Sequence, residues 1–314
     1  MINISDKQVN EVLTFNELVP ALKQAFTMDI CVPPRLHFDM KNPHASRETT
    51  LLMMPAWQAG DVAGVKLVTV APDNGLKNLP SIQGTYLLFD VNDGSIKAMI
   101  DAPALTAKRT AAASALASQF LSREDSSSLL MVGTGALAPQ LIAAHASVRK
   151  IQKVYVWGRN LAKAKAVCEQ VAELAIECIP VDDIETYAKQ VDIISCATLS
   201  QTPLIFGRWL SPGQHLDMVG SYRPDMREMD DECLLDNSLF VDNFDGALRE
   251  TGDIVIPLKE QVIRKEDIKA DLFSLSKGEF TFNREANDIT VFKSVGHALE
   301  DLTAAKLVHH AISK

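Results

Sequence analysis

A glycine turn between an apolar run and a helical pattern constrains the fold more than any other stretch of the chain. The segment Leu129–Gln140 reads LLMVGTGALAPQ, where Gly133, Gly135 and Ala138 form the pattern G-x-G-x-x-A. Such small residues permit a tight turn, let the backbone approach a pyrophosphate, and let helix and strand pack closely, while the N–H groups of the new helix face the phosphates. The stretch therefore predicts a doubly wound α/β sheet of the Rossmann type that binds a dinucleotide.

The residues after the next apolar run favour a phosphorylated cofactor. Lys153–Trp157 has the spacing of the second strand of a βαβ unit, and Gly158, Arg159 and Asn160 follow it directly. Domains that prefer NAD place an acidic residue at this point to bind the ribose hydroxyls, whereas a guanidinium pairs with an additional phosphate. The sequence predicts NADPH as the cofactor, with NADH as the alternative. The plainer interpretation of Arg159 is a solvated arginine in a turn.

Length and composition indicate an ordinary globular protein with two domains. The chain has 314 residues, of which 47% are hydrophobic and 23% charged, which suffices for a large core. Its net charge of −9 argues against a nucleic-acid or membrane-surface partner, because both need a basic patch. We find neither a secretory signal nor an apolar run approaching the roughly 20 residues that span a bilayer, and we expect a cytoplasmic protein.

The cysteine and histidine spacings predict neither disulfides nor a metal site. The five cysteines are scattered without C-x-x-C spacing, and the seven histidines show no H-E-x-x-H pattern. Isolated cysteines in such a chain behave as small apolar residues. We therefore expect buried, unpaired cysteines.

The first third of the chain predicts an antiparallel sheet that contains one anomalous charge. Four successive apolar runs are separated by turn residues and span 50–55, 62–70, 85–91 and 96–100. Lys66 lies inside the second run, where a buried lysine needs a partner. Strand alternation could equally place its amine on the solvent face.

An alanine-rich helix adds further cations. The run Leu105–Ala117 has small residues on several faces, which indicates close packing against other backbone. Lys108 and Arg109 fall in its first turns, where a cation opposes the helix dipole unless an anion compensates. Together with Arg35, from an extended segment, Lys66 and Arg109 suggest a clamp for a carboxylate ligand.

Five stretches, taken jointly, resemble the ornithine cyclodeaminase/mu-crystallin family over nearly the whole chain. They are GVK at 64–66, TAKRTAAAS at 106–114, VGTGA at 132–136, RPDMRE at 223–228 and TVFKSVG at 290–296. The resemblance implies a homodimer in which a Rossmann domain, 113–294, is inserted into a second α+β domain, 1–112 plus 295–314, for substrate binding and dimerisation.

The resemblance also implies the site residues. It places the substrate carboxylate on Arg35, Lys66 and Arg109, of which Lys66 and Arg109 are the catalytic candidates, and it places Gly296 beside the substrate. The implied cofactor contacts form a larger set: Ser81, Thr110, Gly133, Thr134, Gly135, Ala136, Leu137, Arg159, Asn160, Thr198 and Val219.

One departure from the cyclodeaminase pattern decides the expected reaction. The resemblance implies that a cyclodeaminase would have the pattern V-G-G-D-x-P-G here, with the aspartate as its acid–base group, whereas this chain reads VGSYRPD at 219–225. Tyr222 therefore stands at the position of that carboxylate. The R-P-D-x-R-E form is similar to mu-crystallin and ketimine reductases. We therefore expect NADPH-dependent reduction of delta-1-pyrroline-2-carboxylate to L-proline, and of delta-1-piperideine-2-carboxylate to L-pipecolate. The imine would bind already protonated or receive its proton from Lys66, and a part for Tyr222 or Asp225 stays open.

Three alternatives differ in kind from this expectation. An ornithine cyclodeaminase would convert L-ornithine to L-proline and ammonia with tightly held NAD. An open-chain amino-acid dehydrogenase would need ammonia and a keto acid in the reductive direction. A non-catalytic protein of the mu-crystallin type would bind NADPH without turnover.

Overall fold

The computed structural model describes residues 1–43, 48–77 and 79–314, without the side chains of Gly75 and Leu76. Contacts within the chain divide it into two units. Unit 1 comprises Met1–Arg109 and His297–Lys314, and unit 2 comprises Thr110–Gly296. The sequence-based boundaries, after 112 and before 295, lie close to these divisions.

Unit 1 is built on a mostly antiparallel sheet. Its strands are β1 (Ile2–Ile4), β2 (Ile30–Cys31), β3 (Leu36–Met40), β4 (Thr49–Gln58), β5 (Val62–Val70), β6 (Ile82–Asp90) and β7 (Ile96–Asp101). Its first helices are α1 (Asp6–Val12) and α2 (Phe15–Ala25), and α3 (Ala102–Leu121) continues into unit 2. The strand order is β1-β7-β6-β5-β4-β2, with β3 also on β4, and only the pairing of β1 with β7 is parallel among the described strands.

Residue alternation gives the sheet of unit 1 a buried inner face and a partly exposed outer face. In β5, Val62, Gly64, Lys66 and Val68 are buried, while the residues between them are partly exposed. The paired registers continue this pattern across the sheet, so that Lys66 lies between Met54 on β4 and Tyr86 on β6. The predicted antiparallel sheet is confirmed, and the side of Lys66 is the buried one.

Two details near the N-terminus differ from the sequence-based prediction. Helix α1 was not predicted; it begins with a capping box in which the Ser5 hydroxyl accepts from the Gln8 backbone N–H and the Gln8 side chain accepts from the Ser5 N–H. The extended segment around Arg35 is not one strand. It divides into β2 and β3, and Arg35 lies between them.

Unit 2 is a parallel sheet with helices between its strands. The strands are β8 (Ser128–Val132), β9 (Lys153–Trp157), β10 (Glu177–Val181), β11 (Ile193–Cys196), β12 (His215–Met218), β13 (Ser238–Val241), β14 (Ile268–Asp271) and β15 (Thr290–Lys293). The helices are α4 (Leu137–Val148), α5 (Leu161–Gln170), α6 (Ile184–Ala188), α7 (Phe244–Glu250), α8 (Gly252–Lys259) and α9 (Leu272–Lys277). The strand order is β10-β9-β8-β11-β12-β15-β13-β14, which confirms the predicted Rossmann class.

The order of strands in unit 2 fixes where a ligand can bind. From β8 the chain proceeds outward to β9 and β10 on one side, and it returns to β11 and β12 on the other side. In open parallel sheets, ligands bind at the carboxyl ends of the strands where this reversal occurs. The loops after β8, β9, β11 and β12 therefore form the rim of the candidate site in unit 2.

The last helix, α10 (Ala298–Ile312), completes unit 1. It packs against β4, β5, β6 and α2. Its first turn carries Glu300 and Asp301, both fully buried. Acidic residues are favoured at this end of a helix because its dipole presents partial positive charge there.

The expectation that all cysteines are buried is wrong for three of the five. Cys31 is exposed, and Cys168 and Cys178 are partly exposed free thiols whose sulfur atoms lie 2.7 Å apart. Cys196 and Cys233 are buried. Separately, none of the helices within the described ranges combines the length and the apolar character needed to cross a membrane.

Candidate functional site

Gly133 makes the turn after β8 that the sequence motif predicts. Its φ of +124° lies in a region that side-chain-bearing residues rarely adopt, and a Cβ atom there would lie 2.4 Å from the carbonyl oxygen of Ala197. Its N–H donates to the carbonyl of Trp157 at 2.9 Å. Glycine is therefore required at this position by both backbone conformation and the approach of the loop after β11.

Gly135 is free of such constraints. A Cβ atom there would meet nothing within 4 Å among the described atoms, and Gly135 and Ala136 are exposed. Helix α4 begins at Leu137, and its N-cap residue Ala136 offers no side-chain acceptor to the first N–H groups. Open space in front of uncapped helical N–H groups fits a bound pyrophosphate.

The loop after β9 places Arg159 and Asn160 differently. Asn160 caps α5, because its Oδ1 accepts from the Ala162 N–H at 2.9 Å. Arg159 is exposed, and no carboxylate in the described part of the chain lies within ion-pair distance of it. The two loops of the rim approach each other, since a Cβ atom on Gly158 would lie 2.5 Å from Thr134 Cγ2.

Glu228, the last residue of the RPDMRE stretch, joins the loops after β11 and β12. Its Oε1 accepts from the Thr198 N–H at 2.6 Å and from the Thr198 hydroxyl at 2.7 Å. Its Oε2 accepts from the Gly220 N–H at 2.6 Å and from the Ser221 N–H at 3.2 Å. Burial raises the pKa of this carboxyl, although Lys293 opposes the shift. Thr198 and Val219 thus stand on a fixed rim.

Further buried charges support Glu228. Asp253 Oδ1 accepts from the Glu228 N–H at 2.8 Å, and Lys293 Nζ lies 3.1 Å from Asp253 Oδ2. Sequence reasoning singled out the stretches that contain Glu228 and Lys293 but assigned neither residue a role. The signal that could have found Lys293 is a charged residue at the end of an apolar strand, as in TVFK at 290–293. Glu228 lies in a polar loop and shows no such signal.

Tyr222 and Asp225 lie in the loop between Ser221 and Glu228. Asp225 pairs with Arg223 at 2.9 Å in an exposed turn, and it also accepts from Gln201. Tyr222 is more buried, and desolvation raises the pKa of its phenol. The carboxylate of Asp225 is therefore engaged in local turn contacts.

Gly296 ends unit 2 with a φ of +84°. Its N–H donates to Asp242 Oδ2 at 2.6 Å, and the Val295 N–H donates to the same oxygen at 2.7 Å. The proposed contact of Gly296 with substrate therefore cannot use this N–H without breaking the bond to Asp242.

The cations of unit 1 converge on α10. Lys66 Nζ donates to Asp301 Oδ1 at 2.7 Å, and Arg109 Nε donates to the same oxygen at 2.9 Å. Arg109 Nη1 donates to Glu300 Oε2 at 2.7 Å. Lys66 and Arg109 are only 2% and 6% exposed, so these four side chains form a buried group of balanced charge.

This arrangement corrects the argument from the helix dipole. Helix α3 begins at Ala102 rather than at Leu105, so Arg109 is its eighth residue and lies beyond the first turn, where the dipole acts most strongly. The compensating anions belong to the protein itself, Glu300 and Asp301, which the sequence analysis missed. Lys108 is also buried, and its amine donates to the carbonyl of Leu13 at 2.6 Å.

The protonation of Lys66 is finely balanced. Its pKa is lowered to about 8, mainly by burial and next by the positive charge of Arg109, while Asp301 acts in the opposite direction. Arg35, partly exposed, contributes a further lowering. Burial is thus a larger cause of the lowered pKa than the neighbouring cations. A lysine of this kind can exchange a proton near neutral pH.

Two further expected cofactor contacts, Thr110 and Ser81, lie in α3 and directly before β6. Thr110 is buried in α3 directly after Arg109, and Ser81 is partly exposed before β6, where its carbonyl accepts from the Ala71 N–H at 2.7 Å. Within the described ranges, no group of three or more His, Cys, Asp or Glu side chains could hold a metal ion.

Comparisons with known proteins agree with this architecture. A delta-1-pyrroline-2-carboxylate reductase of Colwellia psychrerythraea is 38% identical over 311 residues, 97% of each chain. The solved structure of Thermococcus litoralis delta-1-pyrroline-2-carboxylate reductase in complex with NADH and L-proline matches with a TM-score of 0.94 and 32% identity, covering 100% of this chain and 98% of the other. An archaeal alanine dehydrogenase dimer with bound NAD matches with a TM-score of 0.91 and 26% identity, covering 99% and 96%.

The family assignment rests on a match along almost the entire sequence. The model of the ornithine cyclodeaminase/mu-crystallin family matches residues 3–314. The glycine turn, the buried cations and the RPDMRE loop all fall within this range. The chain therefore belongs to the ornithine cyclodeaminase/mu-crystallin family.

Proposed function

We propose that this protein is an NAD(P)H-dependent reductase of cyclic imino acids, which converts delta-1-pyrroline-2-carboxylate to L-proline and delta-1-piperideine-2-carboxylate to L-pipecolate. The observation that carries the proposal is the buried pair of Lys66 and Arg109 on one carboxylate oxygen. An ammonium has three N–H donors, so Lys66 can bind a substrate carboxylate in addition to Asp301, and the pair occurs in a chain that is 38% identical to a named reductase of this substrate class.

The residues of unit 1 bind and orient the substrate. Lys66 and Arg109, with Arg35, bind the carboxylate and fix the ring so that its C2 atom can accept a hydride. Such positioning is worth several kcal/mol in rate. When bound, the nicotinamide supplies the hydride that C2 accepts, and the two electrons of the C=N π bond pass to the protonated ring nitrogen, which becomes the amine of the product.

The loop after β12 supports reduction over cyclodeamination. Tyr222 stands at the position where the cyclodeaminase pattern has an acidic residue. Asp225 forms an ion pair with Arg223 in an exposed turn. Without a free carboxylate at this position, the loop lacks the base expected to act on the amine of L-ornithine. A cyclodeaminase is the second candidate, and its support is the membership of the chain in a family that includes cyclodeaminases.

The cofactor is a nicotinamide dinucleotide, and we propose a preference for NADPH. The solved relatives named above were obtained with NADH and with NAD, so the preference rests on this chain's own Arg159. Its exposed guanidinium follows β9, where the adenosine ribose of a dinucleotide binds, and it can pair with a 2′-phosphate. We expect R159A to raise the KM for NADPH by at least about tenfold and to leave the KM for NADH nearly unchanged; equal losses would refute the preference.

A substrate panel tests the reaction itself. Both cyclic imines are offered with NADPH and with NADH, and cofactor oxidation and L-amino acid formation are measured. Parallel assays measure ammonia release from L-ornithine with NAD, and pyruvate with ammonia as open-chain substrates. Turnover of at least one cyclic imine above all other substrates is expected. Ammonia from ornithine would support a cyclodeaminase, and cofactor binding without any turnover would support a binding protein.

We also propose that the protein is a homodimer formed through the outer face of the unit 1 sheet. Pro55, Val65, Leu87 and Met99 pair in register across β4, β5, β6 and β7. All four are partly or fully exposed and apolar. Contiguous apolar surface of this kind marks a protein contact, and the archaeal alanine dehydrogenase named above is a dimer.

A further inference from the structure

Asp301 holds two cations from different elements with a single oxygen. Its Oδ1 accepts from Lys66 Nζ of β5 at 2.7 Å and from Arg109 Nε of α3 at 2.9 Å. Its Oδ2 is buried and accepts no hydrogen bond from the described residues. Because the two cations share one acceptor, the position of Asp301 determines the separation of Lys66 and Arg109.

The surroundings of Lys66 leave Asp301 with a specific task. Arg109 on α3 and Arg35 before β3 act electrostatically against its positive charge, and the phenol of Tyr86 lies opposite it on β6. Glu300 accepts from Arg109 Nη1, and within the described residues it forms no ion pair with Lys66. Within the described part of the chain, Asp301 is thus the one carboxylate that forms an ion pair with Lys66.

Burial makes this task consequential. Desolvation and Arg109 favour the neutral amine of Lys66, and Asp301 contributes the largest interactions that favour the ammonium. A neutral amine forms no ion pair with a carboxylate, whereas an ammonium does. Burial alone would raise the pKa of the Asp301 carboxyl. The positive charges of Arg109 and Lys66 outweigh this effect, so the pKa is lowered and Asp301 stays an anion.

We propose that Asp301 is a positioning residue of the imino-acid site: it keeps Lys66 an ammonium ion and orients Lys66 and Arg109 as a pair toward the substrate carboxylate. The inference rests on the proposed function. It assigns the first turn of α10 a part in substrate binding through the two cations, without contact between Asp301 and the substrate.

The test compares two neighbouring carboxylates. D301N keeps an oxygen that can accept from both cations but removes the charge, and E300Q is the matched control because Glu300 is equally buried, lies on the same helix turn and does not touch Lys66. For each variant kcat/KM for the cyclic imine is measured against pH. The ionisation of the imine itself is common to all three proteins, so differences between the profiles report the enzyme.

We expect the alkaline fall in kcat/KM to move to lower pH by at least about one unit in D301N, because loss of a neighbouring opposite charge shifts a buried group by this amount or more. At pH 8, kcat/KM of D301N should fall at least about fivefold, mainly through KM, because a pKa one unit lower leaves roughly a tenth of Lys66 protonated at this pH instead of about half. E300Q should keep the wild-type position of the alkaline fall. An unshifted profile in D301N, or an equal shift in both variants, would overturn the proposal.

A second readout does not depend on turnover. Protein labelled at lysine Cε with carbon-13 is titrated by NMR, and the Lys66 resonance is identified by its loss in K66R. Lys66 should titrate near pH 8 in the wild type and at lower pH in D301N. If the wild type reduces no cyclic imine, the proposed function fails while this titration still decides whether Asp301 controls Lys66.

D301E covers the case in which D301N does not fold. It keeps the charge but moves the oxygen by one methylene, so we expect a folded protein with the alkaline fall near its wild-type position and a raised KM. Wild-type KM in D301E would contradict the orienting role of Asp301.

Discussion

Replacing each glycine of the turn by alanine separates folding from cofactor binding. In G133A the new Cβ would lie 2.4 Å from the Ala197 carbonyl oxygen, at a φ of +124°. In G135A it would meet nothing within 4 Å among the described atoms, and the backbone is not in the left-handed region. The two substitutions add the same methyl group two residues apart, so each is the control for the other.

The expected magnitudes differ by source. Backbone strain of this kind costs about 1–3 kcal/mol, and forcing a methyl group into occupied space costs about 1–3 kcal/mol. We therefore expect G133A to lower the free energy of unfolding of unit 2 by about 3 kcal/mol, which corresponds to a fall in Tm of roughly 6–12 °C for a unit of this size. For G135A we expect a Tm within about 2 °C of the wild type.

For cofactor binding we expect the opposite order of effects, with G135A the more damaging of the two substitutions. If the pyrophosphate lies against Gly135, a methyl group there displaces it, and we expect Kd for NADPH to rise at least tenfold, or about 1.4 kcal/mol. Differential scanning calorimetry without cofactor gives Tm, and fluorescence titration gives Kd. Wild-type affinity in G135A would refute the placement of the phosphates, and wild-type Tm in G133A would refute the steric argument.

The remaining predictions concern pH and assembly. Because the pKa of Lys66 is about 8, we expect kcat/KM for the cyclic imine to fall by about tenfold per pH unit above this value. The contribution of Lys66 to the free energy of unfolding should rise between pH 8 and its ordinary pKa of 10.5, because the unfolded chain binds more protons than the folded chain in this range. Stopped-flow assays measure kcat/KM, and urea titrations measure the free energy of unfolding. A flat profile of kcat/KM against pH would contradict the role of the ammonium. For assembly, we expect L87D to halve the mass measured by light scattering, whereas L199D, at an exposed residue of unit 2, should leave it unchanged. A dimeric L87D would exclude the outer face as the interface.

The sequence predicted elements with strong periodicity and missed short ones. Strand β5 has the predicted bounds, because alternation over nine residues is a sufficient signal. Helices α7, α8 and α9, with seven, eight and six residues, were not predicted. A helix of two turns shows too few repeats of its apolar face to be distinguished from an irregular segment.

The site was predictable by its cations and not by its anions. Lys66 was conspicuous because a lysine interrupts an apolar strand, and Arg109 because small residues surround it. Asp301 lies 235 residues from Lys66 in sequence, and two successive acids at a helix start are typical of a solvated first turn. Only the packing of α10 on the sheet shows that Glu300 and Asp301 are buried counter-ions. Likewise, only the structure shows that Glu228, in a polar loop, is buried.

Four of the five hydrogen bonds that Glu228 accepts bear on how this architecture can diversify. They fasten the chain at Thr198, Gly220 and Ser221, and the path from Ser221 to Glu228 is thereby secured at both ends. Tyr222 occupies the interior of that path. A loop clamped at its ends tolerates exchange of its central side chain without losing its course, so new chemistry can evolve at position 222 while the strands that bear the loop keep their register.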